Sequence, residues 1–96
     1  MYDYTGWIVR SVAGHDKGAL FCVVGVDQER GMLLLADGKR RRAVRPKAKK
    51  PGHVHCLADH QHPFQHPAVE KLRQGNALTD KELRRTLAAF RDQMEV

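Results

Sequence analysis

Ninety-six residues, 42% apolar and 29% charged, suffice for one small domain around one compact core and exclude a wholly disordered chain. No apolar run nears the ~18 residues that span a bilayer, and Met-Tyr-Asp-Tyr-Thr lacks a basic-then-apolar leader, so a cytoplasmic protein with no membrane partner is expected. The net charge of +6 is lopsided: residues 1–57 carry eleven Lys/Arg and five Asp/Glu, residues 58–96 carry six of each, and eight of the bases fall within 39–50 with no acid among them.

Residues 7–12 are apolar and β-branched enough for a strand, although Trp7, Ile8 and Val9 run together rather than alternate. Gly14-His15-Asp16-Lys17-Gly18 follows, with glycine at both ends permitting a sharp reversal. A Walker-type phosphate loop would need G-x-x-x-x-G-K-S/T opening a helix. The next segment, 20–26, is instead a continuous apolar run that reads as a strand with both faces covered. Residues 27–31 make a polar, glycine-ended connection of hairpin length, and 32–36 a third strand. Asp37-Gly38 is a two-residue turn signal, after which 39–44 returns as a fourth strand, alternation sending Arg40 and Arg42 to one face. Pro46 forbids its continuation as a central strand, and 53–57 can supply a short closing strand.

The composition changes near Ala58, giving an all-β unit over 1–58, a His- and Pro-rich linker over 59–67 and a helical tail over 68–96, with no internal repeat. Within the tail, 68–74 forms a short helix with Pro67 in its first turn and Gly75 as its stop. Thr79-Asp80-Lys81-Glu82 is a capping box that starts a second helix. Leu83, Leu87, Phe90 and Met94 then make a narrow apolar stripe, which needs a surface to cover it.

His53, His55, Cys56, His60, His62 and His66 crowd one stretch, and His with Cys suits zinc. Their spacings match no established finger and include one thiol, so exposed neutral imidazoles and no metal are expected. Cys22 and Cys56 form no CxxC pair; two buried thiols are the simplest reading, one disulfide the alternative. Trp7 reads as core, with Tyr2 and Tyr4 on a loosely held N-terminus; stacking of these rings on unpaired bases is the competing reading. Paired carboxylates, an activated nucleophile and a cofactor fingerprint are all missing from the sequence, so neither an enzyme nor a cofactor nor a small-molecule substrate is expected.

A one-signed run of bases points to a polyanion, against the blander reading of a solvated face. The candidate RNA-binding residues are Lys17, Lys39, Arg40, Arg41, Arg42, Arg45, Lys47, Lys49 and Lys50. Arginine forks match phosphate oxygens in pairs, and lysines act as movable point charges.

Val9-Arg10-Ser11-Val12-Ala13-Gly14-His15-Asp16-Lys17-Gly18, followed by Phe21-Cys22-Val23-Val24, resembles a KOW motif: strand, glycine-bounded basic loop, strand. Leu35-Ala36-Asp37-Gly38-Lys39-Arg40-Arg41, Pro46-Lys47-Ala48-Lys49-Lys50, and the tail pairs Lys71-Leu72, Thr79-Asp80 and Leu83-Arg84 extend the likeness over residues 6–90. The chain resembles a family of small bacterial KOW-domain RNA-binding proteins, similar in turn to KOW-bearing large-subunit ribosomal proteins of archaea and eukaryotes. It departs from the wider pattern at Phe21, where glycine is common, and in the His-rich segment. The resemblance implies a mainly β fold, an SH3-like β-barrel over 1–58 followed by a short α-helical tail. It also implies a cytoplasmic protein that binds structured RNA, ribosomal RNA or the ribosome, with ribosomal proteins as further partners. The alternative class is a protein–protein adaptor docking on a ribosomal or transcription-elongation partner.

Overall fold

The computed structural model describes residues 1–94; positions 95 and 96, the end of the expected 68–96 tail, lie outside the described residues. Five strands precede two helices: β1 (Ile8–Ser11), β2 (Leu20–Asp27), β3 (Met32–Ala36), β4 (Lys47–Lys49), β5 (Val54–Ala58), α1 (Pro67–Arg73) and α2 (Asp80–Met94). The strands form one antiparallel sheet in the order β4-β3-β2-β1-β5. No described helix is long and apolar enough to cross a membrane.

The sheet is apolar on both faces, which is why β2 reads as an unbroken apolar run. Phe21, Val23 and Val26 of β2 join Val9, Leu33 and Leu35 in one cluster, against which Tyr4, Trp7 and Val54 pack. Leu20, Cys22 and Val24 face the other way, with Ile8 and Ala36, toward the helices. Strict alternation would place Val24 and Val26 on the same face. A register shift between Val23 and Gly25 inserts the extra residue that turns Val26 over to the first cluster.

The expected fourth strand over 39–44 is not formed; residues 37–46 make an irregular loop, and β4 begins only at Lys47. The cause is local competition for backbone donors. Asp37 Oδ1 accepts from the amides of Lys39 and Arg41, both at 2.9 Å, while the Arg41 carbonyl accepts from the amides of Asp37 and Gly38. The Ala43 amide donates to Asp80 Oδ1 at 2.7 Å. The amides of Lys39, Arg41 and Ala43, every second donor of the expected strand, are thus taken by side chains, which leaves no continuous ladder to form. The two-residue turn expected at Asp37-Gly38 is accordingly a wider one.

The helices cover the second face of the sheet. Leu83, Leu87 and Phe90 are buried in the same cluster as Ile8, Leu20, Cys22 and Ala36, so the tail's stripe docks on its own sheet. Met94, at 41% exposure, lies beyond its end. The linker takes part too, because Phe64 is buried edge-on against Phe90 with ring centroids 5.2 Å apart. The capping box is formed: Thr79 Oγ1 accepts from the Glu82 amide and Glu82 Oε1 from the Thr79 amide, both at 3.1 Å. Lys71 ties α1 to α2 through Glu82 at 2.8 Å.

Candidate nucleic-acid interface

Two loops build the basic surface, one at 12–19 between β1 and β2, the other at 37–46 between β3 and β4. In the first, Gly14 and Gly18 take positive φ values of 77° and 91°, and the Gly18 amide closes the reversal on the Ser11 carbonyl at 2.8 Å. Asp16 points inward from this loop at 4% exposure and accepts from Arg41 Nη2 of the second loop at 2.9 Å. Burial opposes its ionisation, but the hydrogen bond and charge of Arg41, with Lys49 and Lys47 beyond, outweigh it and hold the carboxyl below its usual range. Lys49, at 8% exposure, turns its ammonium inward and donates to Ser11 Oγ at 2.8 Å and the Ala13 carbonyl at 2.7 Å. Two of the nine expected RNA-binding cations are thus structural: Arg41 locks the two loops together, and Lys49 ties β4 to the end of β1 and the first loop.

The remaining seven, Lys17, Lys39, Arg40, Arg42, Arg45, Lys47 and Lys50, are exposed. Lys17 meets Lys39 and Arg40 along one cleft of about 410 Å³, and Arg91 of α2 lines it as well. Asp37 is also in the lining, its Oδ1 engaged by two backbone amides. A second cleft, of about 560 Å³, is lined by Arg40, Arg41, Arg42, Val44 and Arg45, so Arg40 stands on the border of both. Val44, 92% exposed, lies between Arg42 and Arg45 in sequence. Lys47 and Lys50 lie on and just after β4. The guanidinium groups of the 37–46 loop, with the Lys17 ammonium from the 12–19 loop, can take several phosphates at once, with little of the chain left to order on binding.

Sequence reasoning missed Arg91, Arg84, Asp80 and the inward role of Asp16. Gly38 takes a φ of +78°, and a Cβ there would run into the Asp80 carbonyl, so only glycine lets the loop lie this close to α2. Arg84 Nη1 donates to the Gly38 carbonyl at 2.7 Å. A usable signal did exist: Asp80, Arg84 and Arg91 recur at intervals of four and seven, which places them on one helix face. It was masked because residues 58–96 carry no net charge.

Of the expected exposed imidazoles, His53, His55 and His62 are exposed, whereas His60 and His66 are half-buried and hydrogen-bonded. His66 Nδ1 accepts from the Ala68 amide at 3.1 Å and caps α1. His60 Nε2 donates to the Thr5 carbonyl, leaving Nδ1 to accept from Tyr2 Oη, each at 2.8 Å. The N-terminus is accordingly held rather than loose: Tyr4 lies edge-on to Trp7 at 4.7 Å, and Tyr2, still more than half exposed, lies edge-on to Tyr4 at 5.0 Å. Among the described residues, no three His, Cys, Asp or Glu side chains gather as a metal site would require. Cys22 and Cys56 are free thiols on β2 and β5, on either side of β1, and burial pushes Cys22 up to about 12.

No protein-family model matches the chain, and no curated protein matches it.

Proposed function

We propose that the chain is an RNA-binding module of KOW type, an SH3-like barrel whose basic loops hold structured RNA, with ribosomal RNA or the ribosome as the target its resemblance implies. One observation carries this reading: cations from two loops and a helix (Lys17, Lys39, Arg40 and Arg91) converge on one cleft, beside a second lined by Arg42 and Arg45. Four cations share this cleft with one carboxylate, Asp37, whose Oδ1 is already engaged by two backbone amides, so the excess of like charge favours an anionic ligand over a merely solubilising face.

Barrel closure is supported by chain length. β4 and β5 are the two edges of the sheet, yet only residues 50–53 join them, three of these forming a 3-10 turn. A flat five-stranded sheet would hold its edges about 19 Å apart, beyond the reach of so short a turn, so the sheet has to curl. The adaptor reading is weaker because Leu83, Leu87 and Phe90, its best docking stripe, are buried against the sheet.

The test is binding of a fluorescently labelled RNA hairpin, its single-stranded counterpart and a matching DNA duplex across a salt series. With about four to six phosphates engaged, log K against log salt should slope near −3 to −4 on the single strand and more steeply on the hairpin. Replacing Arg40 and Arg42 together by Gln should reduce that slope by about 1–2 at every RNA sequence tried, because phosphate contacts position without specifying. Affinity indifferent to salt, or equal for DNA, overturns the reading.

A further inference from the structure

We infer that α2 is half of this RNA site: Arg91 supplies a phosphate contact, while Arg84 and Asp80 are positioning residues that hold the 37–46 loop in its binding shape. The inference rests on the RNA reading above and adds to it a role for the helix.

The loop has no ladder to define it and carries Lys39, Arg40, Arg41 and Arg42 in succession, whose mutual repulsion favours spreading. Besides the Asp37 bonds within the loop and the Arg41–Asp16 pair, two pins from α2 oppose this. Arg84 bonds the Gly38 carbonyl, and Asp80 bonds the Ala43 amide, both at 2.7 Å. The pinned residues, 38 and 43, bracket the four cations, and the pinning residues sit one helical turn apart on one face of α2. Leu83 and Leu87, buried in the core, root that turn rigidly. Arg84 also brings a further positive charge beside a cationic run. Such a placement is unfavourable unless the carbonyl bond repays it, which marks the bond as the reason for an arginine there. Two turns on, Arg91 reaches the cleft shared by Lys17, Lys39 and Arg40.

Contact and positioning have opposite signatures in salt. A residue that neutralises a phosphate contributes to the salt slope, whereas one that only shifts the loop toward its competent shape changes affinity alone. With the labelled hairpin as probe, Arg91→Gln should weaken binding and flatten the slope by about 1. Arg84→Ala and Asp80→Ala should each weaken binding about three- to tenfold with the slope unchanged. Asp80→Asn, whose carboxamide oxygen still accepts from Ala43, should restore most of the loss. Arg85→Gln, which removes a charge one position away with no bond to the loop, should bind like the native chain.

A slope flattened by about 1 in Arg84→Ala would make Arg84 a phosphate ligand and overturn its positioning role. Native affinity in that variant, or no recovery in Asp80→Asn, would overturn the pins. An unchanged slope in Arg91→Gln would remove Arg91 from the site. A native chain that fails to bind the hairpin defeats the RNA reading itself, whereas native binding with unaffected variants defeats only the role of α2.

Discussion

Asp16 sits where two distant stretches of chain meet, and its charge contributes to holding them together. Arg41, bonded at 2.9 Å, keeps it ionised below the usual carboxylate range despite its burial. A carboxyl whose folded pKa is lowered stabilises the fold fully above its unfolded value, about 3.9, and loses that contribution as the pH falls through the folded value. Asp16→Asn is therefore expected to be less stable than the native chain at neutral pH, by about 1 kcal/mol, since the arginine side chain is one-third exposed. The difference should shrink as the pH falls through the unfolded value and vanish once it is below the lowered folded value as well. Urea denaturation of both chains at neutral and acid pH measures this, and a gap that does not change with pH would mean that the charge of Asp16 is not what stabilises the pair. Lys49 makes the same point about legibility. In sequence it is indistinguishable from Lys47 and Lys50, because nothing in 47–50 announces that its ammonium will reach Ser11 and Ala13 across the fold.

At the scale of elements, what was legible is what local pattern decides. β2 announced itself by apolar residues on both faces, and α2 by Thr79, Glu82 and a stripe at helical spacing. The loop at 37–46 did not. The amides of Lys39 and Arg41 are taken by Asp37 within the loop and that of Ala43 by Asp80 of α2, and the second partner is invisible until α2 has docked. The stripe also showed that α2 needed a cover without saying which. Because that cover is the sheet, Leu87→Ala should cost about 2–5 kcal/mol in urea denaturation, as for other fully buried leucines. Met94→Ala, at the exposed end of the same stripe, should stay within about 0.5 kcal/mol. Equal effects at the two positions would mean that the stripe continues to the helix end and buries Met94 in solution.

For the whole molecule the question is whether the β unit and the helices are one cooperative body. The radius of gyration, 11.9 Å, is close to the ~12.5 Å of a single globule of this length, leaving no room for a tail standing off the sheet. A chain cut after Ala58 would uncover Ile8, Leu20, Cys22 and Ala36 together, an apolar face that a sequence of that size cannot afford to leave wet. The two faces of the sheet can be followed separately. Trp7, the only tryptophan, packs against the cluster of Val9, Phe21 and Leu35, while α1 and α2 lie on the opposite side. Tryptophan fluorescence therefore reports one core and far-UV dichroism chiefly the other. Because β1 and β2 send alternate side chains into both, neither core can open without stripping half the contacts of the strands it shares with its neighbour. The two signals should lose structure at the same urea concentration, in one transition. The fragment 1–58 should bind a hydrophobic dye and show no cooperative melt. Separate midpoints in the intact chain, or a fragment that melts cooperatively and still binds RNA, would make the helices a detachable appendage, and α2 could not then hold the basic loop in place.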